Sequence, residues 1–390
     1  MYIDIIAGAR PNFMKIAPII KEIQKKKSEN VKIDFRLIHT GQHYDHNMSQ
    51  TFFEELGIPE PHINLGAGGG SQAEQTSKIM IEYETVLNNL KPNLCLVVGD
   101  VTSTLACSIT AKKMGVRVAH IEAGIRSNDW TMPEEINRVV TDRVSDYYFT
   151  TTEIANKNLI NEGVIEDRIF LVGNTMIDTL LSNLNKLVKP EIWEDHDFDG
   201  ADYYVLTLHR PSNVDEEKSL KNLIQTLIES AGNNKIIFPV HPRTKDILKR
   251  LNIENESLIF TEPLGYLEFI YLIKSSKGVI TDSGGITEET TVLGIPCLTL
   301  RNNTERPETI YKGTNELVGT DPDDVKAAMS VLKNGKWKKG EAPDKWDGKS
   351  AQRIIQSLLE LYKKGELNSF KKYVDSSLLM KNRSHLIKQK

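Results

Sequence analysis

Seven short polar clusters each follow an apolar run in this sequence, and each carries side chains able to hold an anion or move a proton. They are Gly8-Ala-Arg10-Pro-Asn12 with Lys15 one turn on, Thr40-Gly-Gln42-His43-Tyr-Asp45, Gly99-Asp100, His120-Ile-Glu122-Ala-Gly124-Ile-Arg126, His209-Arg210, Pro239-Val-His241-Pro and Asp282-Ser283-Gly284-Gly285. Any one alone can be a turn, a cap or a structural hydrogen bond. Seven at one predicted sheet edge point to a shared cleft.

The strongest local signal is Thr281-Asp-Ser-Gly-Gly285. Asp and Ser suit a plain helix N-cap. Two consecutive glycines exceed what capping requires, and a helix start offers a phosphate free N–H groups and the positive end of a dipole. One turn on, Glu289, with Glu288 as its rival, can accept hydrogen bonds from a ribose. Arg10 and Lys15 supply cations from the other half of the chain. The acid/base candidates are Asp100, Glu122, Glu134, Glu135 and His209. Burial lifts a carboxylate toward neutrality, where proton transfer is efficient, and histidine titrates there already. Pro133-Glu-Glu135 also reads as the acidic first turn of a helix. His39, His43 and His46 lack the flanking Cys or carboxylate pattern of common zinc sites, so no metal is expected.

The elements that must position these groups alternate regularly. Strands are predicted at Ile3–Ala7, Phe35–Ile38, Leu94–Val98, Val116–Ile121 and Tyr147–Thr150, with helices at Phe13–Lys27, Glu74–Leu90, Ser103–Met114 and Glu134–Val144. The rhythm repeats with strands at Tyr203–Leu208, Lys235–Val240, Gly278–Thr281 and Cys297–Leu300 and helices at Leu220–Ser230, Leu267–Ser275 and Gly285–Leu293. Near-continuous apolar strands between helices imply parallel sheets covered on both faces. The expected fold class is α/β, with two Rossmann-like doubly wound domains facing a central cleft. The first spans 1–172 and the second 173–350. Pro190, Trp193 and the acidic run Glu194–Asp199 interrupt the pattern at the boundary, and Met176–Leu187 bridges the domains. A helix at 351–363 can pack back on the first domain, and a basic tail follows over 364–390.

Composition narrows the class. Net charge is −4 over 390 residues, and the last 28 residues alone hold eight Lys/Arg against two Asp/Glu. The body is therefore acidic, and neither nucleic acid nor an anionic membrane is an expected partner. Cations for an anionic ligand must be concentrated locally. The three cysteines, Cys95, Cys107 and Cys297, sit in apolar surroundings and read as core residues. No signal peptide or membrane span is visible, so a cytoplasmic location is expected. Gly348-Lys-Ser350 lacks the leading glycine of a P-loop. Gly66–Gly70 has no convincing strand before it and reads as a flexible loop.

Together these motifs resemble the non-hydrolysing UDP-N-acetylglucosamine 2-epimerases. The resemblance runs to about Lys363. It rests on Gly8-x-Arg-Pro-x3-Lys15, Gly99-Asp100 with Thr102 and Thr104, His120-x-Glu-Ala-Gly-x-Arg126, Pro133-Glu-Glu-x-Asn-Arg138, Gly173-Asn-Thr175, His209-Arg210, Pro239-Val-His241, Asp282-Ser-Gly-Gly-x2-Glu-Glu289, Arg301 and Thr304-Glu-Arg-Pro-Glu308. It implies the two-domain GT-B fold, and interconversion of UDP-GlcNAc and UDP-ManNAc. UDP is eliminated to leave 2-acetamidoglucal and is added back after C2 is reprotonated from the other face. No cofactor and no metal are implied, and a homodimer is. The resemblance places catalytic roles on Asp100, Glu122, Glu134 and His209. UDP-sugar binding falls on Arg10, Lys15, Arg138, His241, Ser283, Gly284, Gly285, Glu289 and Arg306. A second, activating UDP-GlcNAc falls near Gln42, His43 and Arg210. The Thr40–Asp45 and glycine-rich segments also resemble relatives acting on UDP-2,3-diacetamido-glucuronate. That substrate is the alternative, with a glycosyltransferase of the same fold behind it.

Overall fold

The computed structural model describes residues 1–41, 53, 55–196, 198, 202–214, 216–240, 247, 248, 250, 251, 253 and 255–367, without the side chains of residues 10, 194, 195, 211 and 212. Two wholly parallel sheets organise the chain. The first contains β1 (Tyr2–Ala7), β2 (Asp34–His39), β3 (Ile63–Asn64), β4 (Leu94–Val98), β5 (Arg117–Ile121), β6 (Tyr147–Thr150) and β7 (Ile169–Leu171) in the order β3-β2-β1-β4-β5-β6-β7. The second contains β8 (Tyr203–Thr207), β9 (Lys235–Pro239), β10 (Leu258–Thr261), β11 (Gly278–Thr281), β12 (Cys297–Thr299) and β13 (Asn315–Leu317) in the order β10-β9-β8-β11-β12-β13. Each is a doubly wound sheet of Rossmann type.

The central strands are buried because every residue of Leu94–Val98 and Gly278–Thr281 is apolar, small or hydrogen-bonded and helices cover both faces. Four strands escaped the sequence reading: β3, β7, β10 and β13. All four are edge strands with partly buried residues, whereas β6, β11 and β12, equally short, are fully buried within the sheets and registered as apolar runs. One of them corrects an expectation. The glycine segment 66–70 does follow a strand, β3, and is tied to the first sheet by Leu65 N–H to His39 O at 2.8 Å and Ala67 N–H to Thr40 O at 2.8 Å.

The helix Thr175–Asn183 packs against both Arg10–Ser28 of the first unit and Gly284–Leu293 of the second. Asn174 caps it, and Thr179 Oγ1 donates to Met14 O at 2.6 Å. The helix Ser350–Lys363 returns to lie on Arg10–Ser28. Its start is pinned by Asp178, which accepts from Ser350 N at 3.0 Å and Ala351 N at 2.7 Å. All three cysteines are buried. Among the described residues, no helix is long and apolar enough to cross a membrane.

Candidate active site

Both sheets reverse strand order beside their first strand, between β1 and β4 and between β8 and β11. Loops leaving adjacent strands diverge there and leave a crevice, where such folds bind ligands. Four of the seven clusters leave those four strands: Gly8–Asn12, Gly99-Asp100, His209-Arg210 and Asp282–Gly285.

On the first side the turn is tight. A Cβ on Gly8 would stand 1.9 Å from Ser103 Oγ, so no other residue fits. Asn12 accepts from Gly8 N and Ala9 N and donates to Val98 O at 3.1 Å, joining the ends of β1 and β4. Lys15 is buried and meets Glu122 Oε2 at 2.6 Å. Glu122 has the left-handed φ of 68°, uncommon for a residue with a side chain and of the kind that gathers at functional sites. Asp100 is paired with Arg138, whose Nη2 and Nε reach Asp100 Oδ2 at 2.5 and 3.0 Å. Burial pushes the Asp100 carboxyl up, but Arg138, Lys15 and Arg306 together hold it below the usual carboxylate value.

Glu134 and Glu135 separate here. Glu135 is buried and accepts from Ser127 N and Asn128 N, both at 2.9 Å, and from Arg138 Nη1 at 2.8 Å. Those bonds outweigh burial and keep it below its ordinary value, so it is a structural anion rather than a proton carrier. Glu134, half-buried on the same helix as Arg138 and one turn before it, has no such tether.

On the second side, Asp282 is no cap for the following helix. Its carboxylate accepts from His209 N, Arg210 N and Asn213 Nδ2 and pairs with His209 Nδ1 at 2.7 Å. Burial raises Asp282, and the bond to His209 with these amides more than reverses it. Ser283 occupies the N-cap position and makes no side-chain cap bond. The first N–H groups of Gly284–Leu293 are thus left for a ligand. Gly284 is required by close approach, since a Cβ there would meet Glu305 Oε1 at 2.4 Å, whereas a Cβ on Gly285 would point into open space.

Arg301 lies beside this helix start, with Nη1 3.7 Å from where a Gly284 Cβ would stand. Its Nη2 meets Glu305 Oε2 at 2.7 Å, while its buried Nε and Nη1 have no partner among the described residues. Burial raises Glu305, but Arg301 and Arg306 bring it down to about 2. Glu289 is buried and pushed up to about 8, chiefly by burial and despite a 3.0 Å bond from Tyr266 Oη. Its rival Glu288 is occupied, accepting from Arg306 Nε at 2.5 Å.

The two sides meet. Arg306 Nη2 stands 3.6 Å from Glu122 Oε2, and Asn303 Nδ2 donates to Asp129 Oδ2 at 3.1 Å. Among the described residues, Glu122 Oε1 and Arg306 Nη1 are both buried and unpartnered. The cleft therefore offers a carboxylate oxygen free to take a proton, beside guanidinium groups and helix amides free to take an anion. That combination suits expulsion of an anionic leaving group with proton transfer next to it.

Of the expected site residues, the structure gathers Lys15, Asp100, Glu122, Arg138 and Arg306, with Gly284 at the helix start beside Arg301 and Glu305 and Glu289 further along the same helix, bonded to Tyr266. Arg210 is half-buried, with Nε donating to Asp282 O at 3.2 Å, and His209 is 62% exposed. Gln42, His43, His46 and His241, the side chain of Arg10 and the tail from 368 lie outside the described residues. Among the described residues no three His, Cys, Asp or Glu side chains are placed to share a metal. Sequence reasoning noted Arg301 only as part of a motif and missed Asp142. Nothing in the spacing marks Arg301 as lying beside the helix start, although Asp142 stands two turns after Glu134 and one after Arg138.

Two doubly wound sheets with such a site at their shared switch points define an α/β enzyme of GT-B architecture. The chain belongs to the UDP-N-acetylglucosamine 2-epimerase family, whose model matches residues 24–359. A UDP-N-acetylglucosamine 2-epimerase of Methanocaldococcus jannaschii is 44% identical over 370 residues, covering 92% of this chain and 99% of the relative. The crystal structure of the M. jannaschii enzyme with UDP-GlcNAc and UDP superimposes with a TM-score of 0.82, covering 92% of this chain and 100% of that one, at 44% identity. A UDP-2,3-diacetamido-2,3-dideoxy-D-glucuronate 2-epimerase of Pseudomonas aeruginosa is 39% identical over 365 residues, covering 93% of this chain and all of the relative.

Proposed function

We propose that the protein interconverts UDP-GlcNAc and UDP-ManNAc by eliminating and re-adding UDP. The observation that carries this reading is Glu122 Oε1 buried beside Arg306, with Glu122 Oε1 and Arg306 Nη1 both unpartnered among the described residues. A proton leaves C2, the C1–O bond to the diphosphate breaks, and 2-acetamidoglucal and UDP remain in the cleft. A proton returns to the opposite face of C2 as UDP oxygen re-attacks C1. Asp100, Glu122 and Glu134 supply the acid and base between them. Arg10, Lys15, Arg138, Arg301, Arg306, His209 and the Gly284–Gly285 amides take the charge developing on UDP, where fixed donors in a dry site are most effective. Glu289 accepts from the ribose, and His241 adds to UDP binding.

Gln42, His43 and Arg210 form an activating UDP-GlcNAc site in this reading. It also carries the division into domains 1–172 and 173–350, a homodimer, a cytoplasmic location and a role in supplying cell-surface polysaccharide synthesis. The test is incubation with UDP-GlcNAc in D₂O. UDP-ManNAc bearing deuterium at C2, with traces of glycal, is expected; absence of exchange with every 2-acetamido UDP-sugar refutes the reading. A parallel arm with UDP-2,3-diacetamido-glucuronate decides the substrate, because turnover there alone moves the assignment to the uronate. Strictly hyperbolic rates in UDP-GlcNAc count against activation.

A further inference from the structure

The helix Pro133–Val144 is built the wrong way round for a surface helix. It buries Glu135, Asn137, Arg138, Thr141 and Asp142 and leaves Ile136 45% exposed. Amphipathic helices normally bury the apolar stripe. Buried polar side chains need partners; among the described residues Thr141 Oγ1 has none, and Glu135, Asn137, Arg138 and Asp142 find theirs largely on the segments that carry Asp100 and Glu122.

Asp142 is almost wholly buried. Its Oδ1 meets His120 Nδ1 at 2.6 Å, and its Oδ2 accepts from Gly124 N at 3.0 Å and pairs with Arg126 Nη1 at 2.7 Å. His120 is fully buried and places Nε2 2.8 Å from Gly99 O, the carbonyl immediately before Asp100. One carboxylate thus holds both loops: the one with Glu122 through the Gly124 amide and Arg126, and the one with Asp100 through the histidine ring. Asn137 Nδ2 adds a bond to Asp100 O at 2.8 Å.

A backbone carbonyl only accepts, so the ring nitrogen facing Gly99 is the donor and carries hydrogen. The other ring nitrogen bonds Asp142 Oδ1, while Oδ2 is engaged by the Gly124 amide and Arg126.

We propose that Asp142 and His120 are a positioning pair, in which the buried imidazole ring clamps the Gly99 carbonyl and the carboxyl group beside it clamps Gly124, so that Asp100 and Glu122 keep their places on either side of the substrate. The inference rests on Asp100 and Glu122 acting as acid and base. The pair touches no substrate atom in this arrangement; it acts through the backbone it holds. A loosened loop displaces a reacting carboxylate, and an ångström of displacement costs on the order of a hundredfold in rate.

Two measurements test it on the full-length protein. Long-range ¹H–¹⁵N spectra of histidine-labelled protein, assigned by loss of the signal in His120→Gln, are expected to show hydrogen on Nε2 of His120, as the bond to the Gly99 carbonyl requires. A bare Nε2 overturns the proposal. Asp142→Asn and His120→Gln are expected to lower kcat by roughly 10- to 100-fold while the dissociation constant for UDP moves less than about threefold. Retention of kcat within about twofold in both variants overturns it. So does an equal loss of UDP binding, which marks general loosening. If Asp142→Asn does not fold, His120→Gln and the wild-type spectrum still decide. Should the wild-type protein fail to exchange C2 hydrogen with any 2-acetamido UDP-sugar, it is the assigned reaction that fails, and the spectrum judges the pair regardless.

Discussion

Replacing Glu289 by glutamine should make the ligand-free protein more stable at alkaline pH, which is the reverse of the usual consequence of losing a buried carboxylate contact. Burial lifts Glu289 from 4.5 to about 8 in the fold. The unfolded chain keeps the ordinary value, so between these limits the folded state binds the proton and the unfolded state does not. Stability is greatest below the unfolded value and falls as pH rises toward 8. Each pH unit between the two values is worth about 1.4 kcal/mol, so the penalty is on the order of 3 kcal/mol at pH 7 and about 5 kcal/mol above pH 8. Glutamine keeps the shape and can still bond Tyr266 Oη, but never ionises. The melting temperature of Glu289→Gln should nearly match wild type near pH 5 and exceed it by roughly 6–12 °C at pH 7, and by more at pH 8, taking a domain of ordinary size. UDP affinity should fall in the same variant, because one ribose acceptor is lost. Parallel stability curves for the two proteins from pH 5 to 9 would refute the argument, since they mean that Glu289 ionises in the fold as it does in water.

Glu305 should behave oppositely: it is held down to about 2, so it stabilises the fold above its unfolded value and the contribution is lost as pH falls from about 4.5 toward 2. Glu305→Gln should cost on the order of 3 kcal/mol at pH 7, read by urea unfolding, with the difference closing as pH is lowered. Asp100→Asn and Glu122→Gln should each lose at least about a hundredfold in turnover while calorimetry finds UDP binding largely kept; near-normal turnover in both removes them from the chemistry. Gly285→Ala should be neutral or slightly stabilising, by up to about 1 kcal/mol, and yet weaken UDP at least tenfold by filling the open space before the helix, whereas unchanged affinity places the diphosphate elsewhere.

Much of the site was legible because its residues follow strands. Asp100, Glu122, His209 and Ser283–Gly285 could be placed at one sheet edge from the alternation of apolar runs and helices alone, and the parallel topology then brought them together. What spacing could not do was divide labour among neighbours. Glu134 and Glu135 are adjacent and chemically alike, yet Glu135 is consumed by the amides of Ser127 and Asn128. Glu288 and Glu289 are equally alike, yet one is taken by Arg306 and the other is buried against Tyr266. Asp282 has the sequence context of a cap and is instead a cross-link between the ends of β8 and β11. The marginal strands β3, β7, β10 and β13 escaped for a different reason: at a sheet edge burial is incomplete, so a short strand there need not show a fully apolar run.

The sequence by itself determined the class of fold, the two-part organisation and the residue types that gather at the cleft, because hydrophobic periodicity and the polar residues after each strand are local properties of the chain. The tertiary structure decided which of those residues are free. Arg306, Glu122 and Arg301 acquire their unpartnered atoms only when two sheets and their loops close on one another. Asp142 acquires a role only when helix Pro133–Val144 turns its polar face inward. Whether a charged group is spent on structure or kept for chemistry depends on distances of 2.5–3.6 Å between residues as far as 184 positions apart, and no local pattern encodes them.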